Sequence, residues 1–191
     1  MKVFIDLGSY TGDTILKAMR VYPDFDRYIG FEPVPELYQK SKDMFEKDSR
    51  VVLHQLAISP NPKKSIKFFT SYRKEGVITS GSTMIKSKTT GQINADRFFY
   101  AESIDIAEYI KDNLSKEDHI VLKVDVEGME YEVFDNLIET GIISYVNKIY
   151  CDWHYKKMGS NREKYKRRHK KIVKKLTKLG YKINGSKEDS F

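Results

Sequence analysis

One cysteine, Cys151, stands in the 191 residues. An intrachain disulfide is thereby excluded, and a reducing compartment is the expected setting. No apolar run approaches the roughly 20 residues that a membrane helix needs. The first apolar run, Val3 to Ile5, is cut by Asp6, so no secretory leader is expected and the cytoplasm is the expected location. No linker-like stretch and no internal repeat divides the chain, which reads as a single domain over 1–191. Phosphate-binding signatures are missing as well. There is no Gly-Lys-Ser/Thr, and the one candidate for a Gly-x-Gly-x-x-Gly turn has Tyr10 and Asp13 in its second and third glycine places. An Asp/Asn-Pro-Pro-Tyr stretch, which would hold a flipped base amine, is absent too.

Acidic residues are scarce in one place. Residues 156–182 hold 13 Lys/Arg against the lone acid Glu163, a balance of +12, while the remainder carries −5. The net charge of +7 therefore belongs to one segment near the C-terminus.

What is present alternates between strand-like and helix-like runs. Val3–Leu7, Tyr28–Phe31, Val51–Leu53 (continuing toward Ala57), Ile120–Val124 and Tyr145–Cys151 read as strands, with Tyr181–Ile183 as a last one. Helices are expected at Asp13–Val21, after Pro35, near 105–113, near 130–139 and at 161–179. This order predicts an α/β fold with a mostly parallel central sheet and helices on both faces. Residues 60–103 break the rhythm with two extended runs, Ser65–Thr70 and Arg97–Ser103, around a long polar stretch. They form a β-rich insertion, and long loops in compact domains are commonly functional.

The first strand ends in Asp6-Leu7-Gly8-Ser9-Tyr10-Thr11-Gly12. In α/β sheets the turn after the first strand borders the ligand site. Asp13, beside the helix N-terminus, would repel a phosphate. S-adenosylmethionine has no phosphate and carries a positive sulfonium and amino group, so this turn suits it, with Asp6 accepting from the amino group. The bland alternative is a tight turn and nothing more. Glu32 favours the cofactor, because an acid closing the second strand 20 residues after Gly12 suits both ribose hydroxyls.

A second constellation lies in HIVLKVDVEGMEYEVF. After the buried strand, Lys123, Asp125 and Glu127 alternate on one side of a chain expected to stay extended. A lysine and acids at a strand mouth are expensive to desolvate unless paired or used. They suit proton abstraction from a hydroxyl, or a divalent cation held by oxygen ligands. The alternative is a lysine–carboxylate pair plus helix N-terminal acids, and Glu130 is assigned to that role. His154, in Asp152-Trp153-His154 after the next strand, reaches the same edge as a base or metal ligand.

These residues resemble the FkbM family of S-adenosylmethionine-dependent methyltransferases. The family's Asp-x-Gly-x-Asn-x-Gly corresponds to Asp6 through Gly12, with Tyr10 in place of asparagine. Its Phe-Glu-Pro-x-Pro corresponds to Phe31-Glu32-Pro33-Val34-Pro35, and its Ala-Ile/Leu-Ser to Ala57-Ile58-Ser59. Ser103-Ile104-Asp105, Lys123-Val124-Asp125-Val126-Glu127-Gly128-Met129-Glu130 and Asp152-Trp153-His154 complete the pattern over about residues 3–155. The resemblance implies a Rossmann-like class I methyltransferase fold and O-methylation of a sugar, glycan or other small-molecule hydroxyl. Cofactor contacts are then expected from Asp6, Gly8, Ser9, Tyr10, Thr11, Gly12, Glu32, Pro33, Ala57 and Ile58. Asp125, His154 and Lys123 are the expected catalytic group, and Asp125, Asp152 and His154 would hold a metal if one is used. Ser80, Ser82, Glu127 and Trp153 are expected to face the acceptor.

The segment 162–178 has ten Lys/Arg in 17 residues, with Tyr165, Ile172, Leu176 and Leu179 at helical spacing. One face docks on the sheet. The basic face is either solvated or a contact for a polyanion such as RNA. This leaves an RNA methyltransferase and a non-catalytic S-adenosylmethionine-binding module as the alternative readings.

Overall fold

The computed structural model describes residues 1–71, 81–90, 93–94, 96–183, 185 and 189–191. β1 (Lys2–Leu7), α1 (Asp13–Val21), β2 (Arg27–Phe31), α2 (Pro35–Met44) and β3 (Val51–His54) form the first half of an alternating unit. β4 (Ala57–Ile58), β5 (Ile66–Phe69), β6 (Phe98–Ala101) and β7 (Ser103–Ile104) follow. Then come α3 (Ile106–Asn113), β8 (His119–Val124), α4 (Glu130–Glu139), β9 (Val146–Cys151) and α5 (Arg162–Lys178). The central sheet has five parallel strands in the order β3-β2-β1-β8-β9. Strand order reverses between β1 and β8, so a ligand crevice belongs outside the carboxyl ends of those two strands.

The strands are apolar on both faces because helices cover both. Val3, Ile5, Leu7, Ile120, Leu122 and Val124 pack with Ile106 and Ile110 of α3, Phe134 and Leu137 of α4, and Ile172 and Leu176 of α5. On the opposite face Phe4, Tyr28 and Val121 meet Ile15 and Ala18 of α1, with Phe25 and Phe45. Two charged residues break that second face. Asp6 and Lys123 are register partners on β1 and β8 and sit side by side at its carboxyl end.

The insertion is built on two small sheets. β5 and β6 pair antiparallel, β4 and β7 pair parallel, and Thr83 bridges to Phe69. Phe68, Ala101 and Ala57 then form an apolar cluster with Val34 and Leu37 of the second helical unit. Among the described residues no helix is long and apolar enough to cross a membrane.

Three sequence expectations are corrected here. β3 stops at His54, and Ala57–Ile58 is a separate strand bound to β7, which pulls it away from the central sheet. Tyr181–Ile183 is not a strand. The Tyr181 hydroxyl instead donates to the carbonyls of Ile143 and Val146, and Ile183 is buried against the core. Finally, the chain does not stay extended past Val124. Glu127 has φ 49° and Gly128 φ 117°, a tight left-handed turn leading into α4.

Candidate active site

The turn after β1 is wound by residues of positive φ: Gly8 (86°), Tyr10 (52°) and Gly12 (91°). Glycine is required at position 8 for a second reason. A Cβ there would lie 2.0 Å from the carbonyl oxygen of Asp125. The backbone after β8 crosses directly over this turn, tied to it by the Asp125 amide donating to the Leu7 carbonyl at 2.9 Å. Gly8 and Ser9 amides donate to the Phe31 carbonyl, so the end of β2 is bound to the same turn.

Glu32 projects from the end of β2 into this junction. Its Oε2 accepts from the Tyr10 amide at 3.0 Å and its Oε1 from the Val34 amide at 2.9 Å. Burial pushes its pKa up to about 7, against the opposing pull of those two amides. Asp6 is fully buried. Burial raises its pKa to about 6, while the Lys123 ammonium, 3.1 Å from Oδ1, pulls the other way. The Lys123 amine also donates to the Gly8 carbonyl and to Asp125 Oδ2, each at 3.3 Å. Burial alone would favour its neutral form, but the charges of Asp6 and Asp125 win and raise its pKa. Lys123 therefore stays charged and fastens the turn to Asp125.

A cleft of about 570 Å³ opens at this point. Gly8, Tyr10 and Glu32 line it on the turn side, and Val34, Leu37, Ala57, Ile58, Phe68 and Met84 form an apolar wall. Asp125, Val126, Glu127 and Ser82 close the other end.

Behind Asp125 stands a relay of ionisable groups. His154 Nδ1 lies 2.8 Å from Glu130 Oε1, while Nε2 lies 3.4 Å from Glu127 Oε2 and 3.7 Å from Asp125 Oδ1. The same Glu130 oxygen accepts from the Gly128 amide at 2.9 Å, which fixes the turn that carries Glu127. Burial depresses the imidazolium, but Glu130, Glu127 and Asp125 outweigh it and raise the His154 pKa. Glu127 is held ionised, against its burial, by His154 together with Lys88 and Lys157. Lys88 Nζ sits 2.6 Å and Lys157 Nζ 3.2 Å from Glu127 Oε2.

The sequence matches the family described as the methyltransferase FkbM domain over residues 6–183. The chain belongs to this family. A crystal structure of methyltransferase FkbM from Methylobacillus flagellatus KT is similar in fold, with a TM-score of 0.55 at 13% identity over 91% of this chain. The chain spans 37% of that protein's length. Among curated proteins, none matches.

Within this FkbM domain, Gly8, Tyr10, Glu32, Pro33, Ala57, Ile58, Asp125, Glu127 and Ser82 line one cleft. Asp6 and Ser9 lie beneath it. Both are buried, and the Asp6 Oδ2 and Ser9 hydroxyl lack hydrogen-bond partners among the described residues. Orphaned buried acceptors beside a glycine turn fit the amino-acid end of S-adenosylmethionine. Thr11 and Gly12 are not brought to the cleft. Thr11 donates to Asp13 at 2.6 Å, and Gly12 abuts Phe45 and Ser41.

Other expected residues are placed elsewhere. The Trp153 ring packs on Phe134, Tyr131 and His169, its indole N–H donates to Asp189, and it does not line the cleft. Asp152 accepts from Ser190; the donor atoms that converge within 4.8 Å belong to Asp125, Glu127 and His154. Ser80 lies outside the described residues. Ser82 is buried at the cleft, accepting from the Ser71 amide. A divalent ion on this triad fits poorly. Bound at about 2.0–2.6 Å from Glu127, it would sit beside two ammonium groups already on that carboxylate.

Sequence reasoning missed Lys88, Lys157 and the partnership of Glu130 with His154. Lys88 lies in a polar stretch without periodicity. Glu130 looked like any acid in a first helical turn, and only its distance of three residues from Glu127 hinted at a shared site.

Proposed function

We propose that this protein is an S-adenosylmethionine-dependent O-methyltransferase acting on a hydroxyl of a sugar, glycan or other small molecule. One observation carries the reading: a single cleft runs from the ribose-type acid Glu32, over Gly8, to the partly exposed Asp125. When bound, S-adenosylmethionine supplies an electrophilic methyl group. Glu32 would hold the ribose, Asp6 and Ser9 the amino-acid end, and Val34, Ala57 and Ile58 the adenine.

The chain's own residues then manage the acceptor and its proton. Asp125 lines the cleft and would take the hydroxyl proton, while Lys123 fixes Oδ2. His154, oriented by Glu130 through Nδ1, stands behind Asp125 and balances its charge. Alignment of the acceptor falls to Glu127, Ser82 and the insertion, since positioning supplies much of such a rate enhancement. The positive charge at the site comes from Lys123, Lys88 and Lys157, and no metal is required.

The test is calorimetric titration with S-adenosylmethionine and with NAD, then a methyl-transfer screen over nucleotide sugars, glycans and RNA. Asp125→Asn is expected to lower kcat by about 10²–10⁴ with cofactor affinity retained. Normal turnover by that variant, or binding of NAD alone, would sink the reading.

A second reading is favoured by α5. Lys164, Arg167, Lys171, Lys174 and Lys178 form a row along its exposed side, and none makes an ion pair among the described residues. An RNA acceptor would use that row. RNA binding that weakens steeply with salt, and methylated RNA as product, would establish it over a small-molecule acceptor.

A further inference from the structure

We propose that Lys88 is the resident cation of the Asp125, Glu127 and His154 cluster, holding Glu127 in place and keeping a divalent ion off its carboxylate. The inference rests on reading this cleft as the methyl-transfer site, and it adds a residue outside the motifs that carry the family resemblance.

The Lys88 side chain has no exposed surface. A buried ammonium persists only where it is paired and hydrogen-bonded. Burial lowers the Lys88 pKa, but the Glu127 Oε2 carboxylate oxygen 2.6 Å away pulls the other way, and the amine also donates to the Gly81 carbonyl. The oxygen it holds also lies 3.4 Å from His154 Nε2, and Glu127 is one of the three residues whose donor atoms converge as a ligand set. Lys88 thus shares the neutralisation of Glu127 with Lys157 and His154 without claiming Asp125, which remains open to the cleft.

Lys88 also ties a wall of the cleft to that turn. The Thr83 hydroxyl donates to the Glu127 carbonyl at 2.8 Å, the Thr89 amide to the Lys157 carbonyl at 3.0 Å, and the Asn161 amide group to Ser87 at 3.1 Å. Ser82 and Met84 of the same segment line the cleft. The ion pair between Lys88 and Glu127 is the charged bond in this seam. It makes the acceptor wall and the acid turn one unit, so Lys88 is a positioning residue and not a catalytic one.

The experiment titrates Mn2+ and Mg2+ into the wild type, Lys88→Ala and Lys88→Met, alongside S-adenosylmethionine. The wild type is expected to bind neither ion at the cluster and to turn over unchanged after exhaustive chelation. Lys88→Ala is expected to acquire Mn2+ binding that the wild type lacks, and to lose it when Glu127→Gln is added. Lys88→Met, which keeps the bulk, is expected to lower kcat by about 10–100-fold with the cofactor Kd unchanged. Stoichiometric Mn2+ on the wild type that Asp125→Asn removes would overturn the proposal, as would an unaltered kcat in Lys88→Met. If the wild type fails to bind S-adenosylmethionine, the cleft reading falls while the metal titration still decides the role of Lys88.

Discussion

Tyr10 sits at φ 52°, a region where a non-glycine side chain is held at an energetic cost. Asparagine tolerates that region better, and asparagine is the residue of the family pattern that the sequence resembles. What the turn uses is the Tyr10 amide, which donates to Glu32. Tyr10→Asn is therefore expected to raise stability by about 1 kcal/mol and to leave cofactor affinity near its original value, as read by thermal melts and calorimetry. Glu32 gives a pH signature. Its pKa is raised to about 7 in the free protein, and ribose hydroxyls donate to the ionised form, so binding pulls that pKa down. Affinity should then rise between pH 6 and 8, and binding below pH 7 should release a proton. Calorimetry in buffers of different ionisation enthalpy checks this, and a flat profile would contradict the ribose role. The placement of Glu32 and Asp125 at one cleft was legible in the sequence because each follows directly on the carboxyl end of a predicted parallel strand. Lys88 was not, because its partner Glu127 is 39 residues away and only the folded insertion brings them together.

Elements follow the sequence closely where burial dictates them. α1 spans the expected Asp13–Val21, and Pro35 opens α2 at its first position, where a missing N–H is harmless. They depart where tertiary bonds override local pattern. Alternation of Lys123, Asp125 and Glu127 suggested continued extension, yet the Gly128 turn brings the carboxylates together by another route. In α5 the docking face is His169, Ile172 and Leu176, whereas Leu179 is 55% exposed. Arg168 reaches across to Glu132 and Asp135 of α4. Ile172→Ala is accordingly expected to cost about 2–5 kcal/mol in urea unfolding. Lys171→Gln and Lys174→Gln on the outer row should stay within about 0.5 kcal/mol. A large loss from the outer pair would mean that the row is a structural contact and not a free surface.

At the scale of the molecule, alternating units were enough to foresee a parallel sheet with covered faces, and the reversal between β1 and β8 locates the site. The two halves of that site are not independent parts. Gly8→Ala would drive a Cβ into the Asp125 carbonyl, so it is expected to lower cofactor affinity and turnover together, a joint loss that calorimetry and single-turnover rates would separate from a cofactor defect alone. The same contact sets a rule for anyone wishing to retool the enzyme. Under the proposed reading, the cofactor end and the proton-accepting end share this one backbone contact, so substitutions there are expected to alter both functions. New acceptors must be sought by redrawing the opposite wall, through Phe68, Ser82 and Met84 of the insertion, where the backbone does not share that contact.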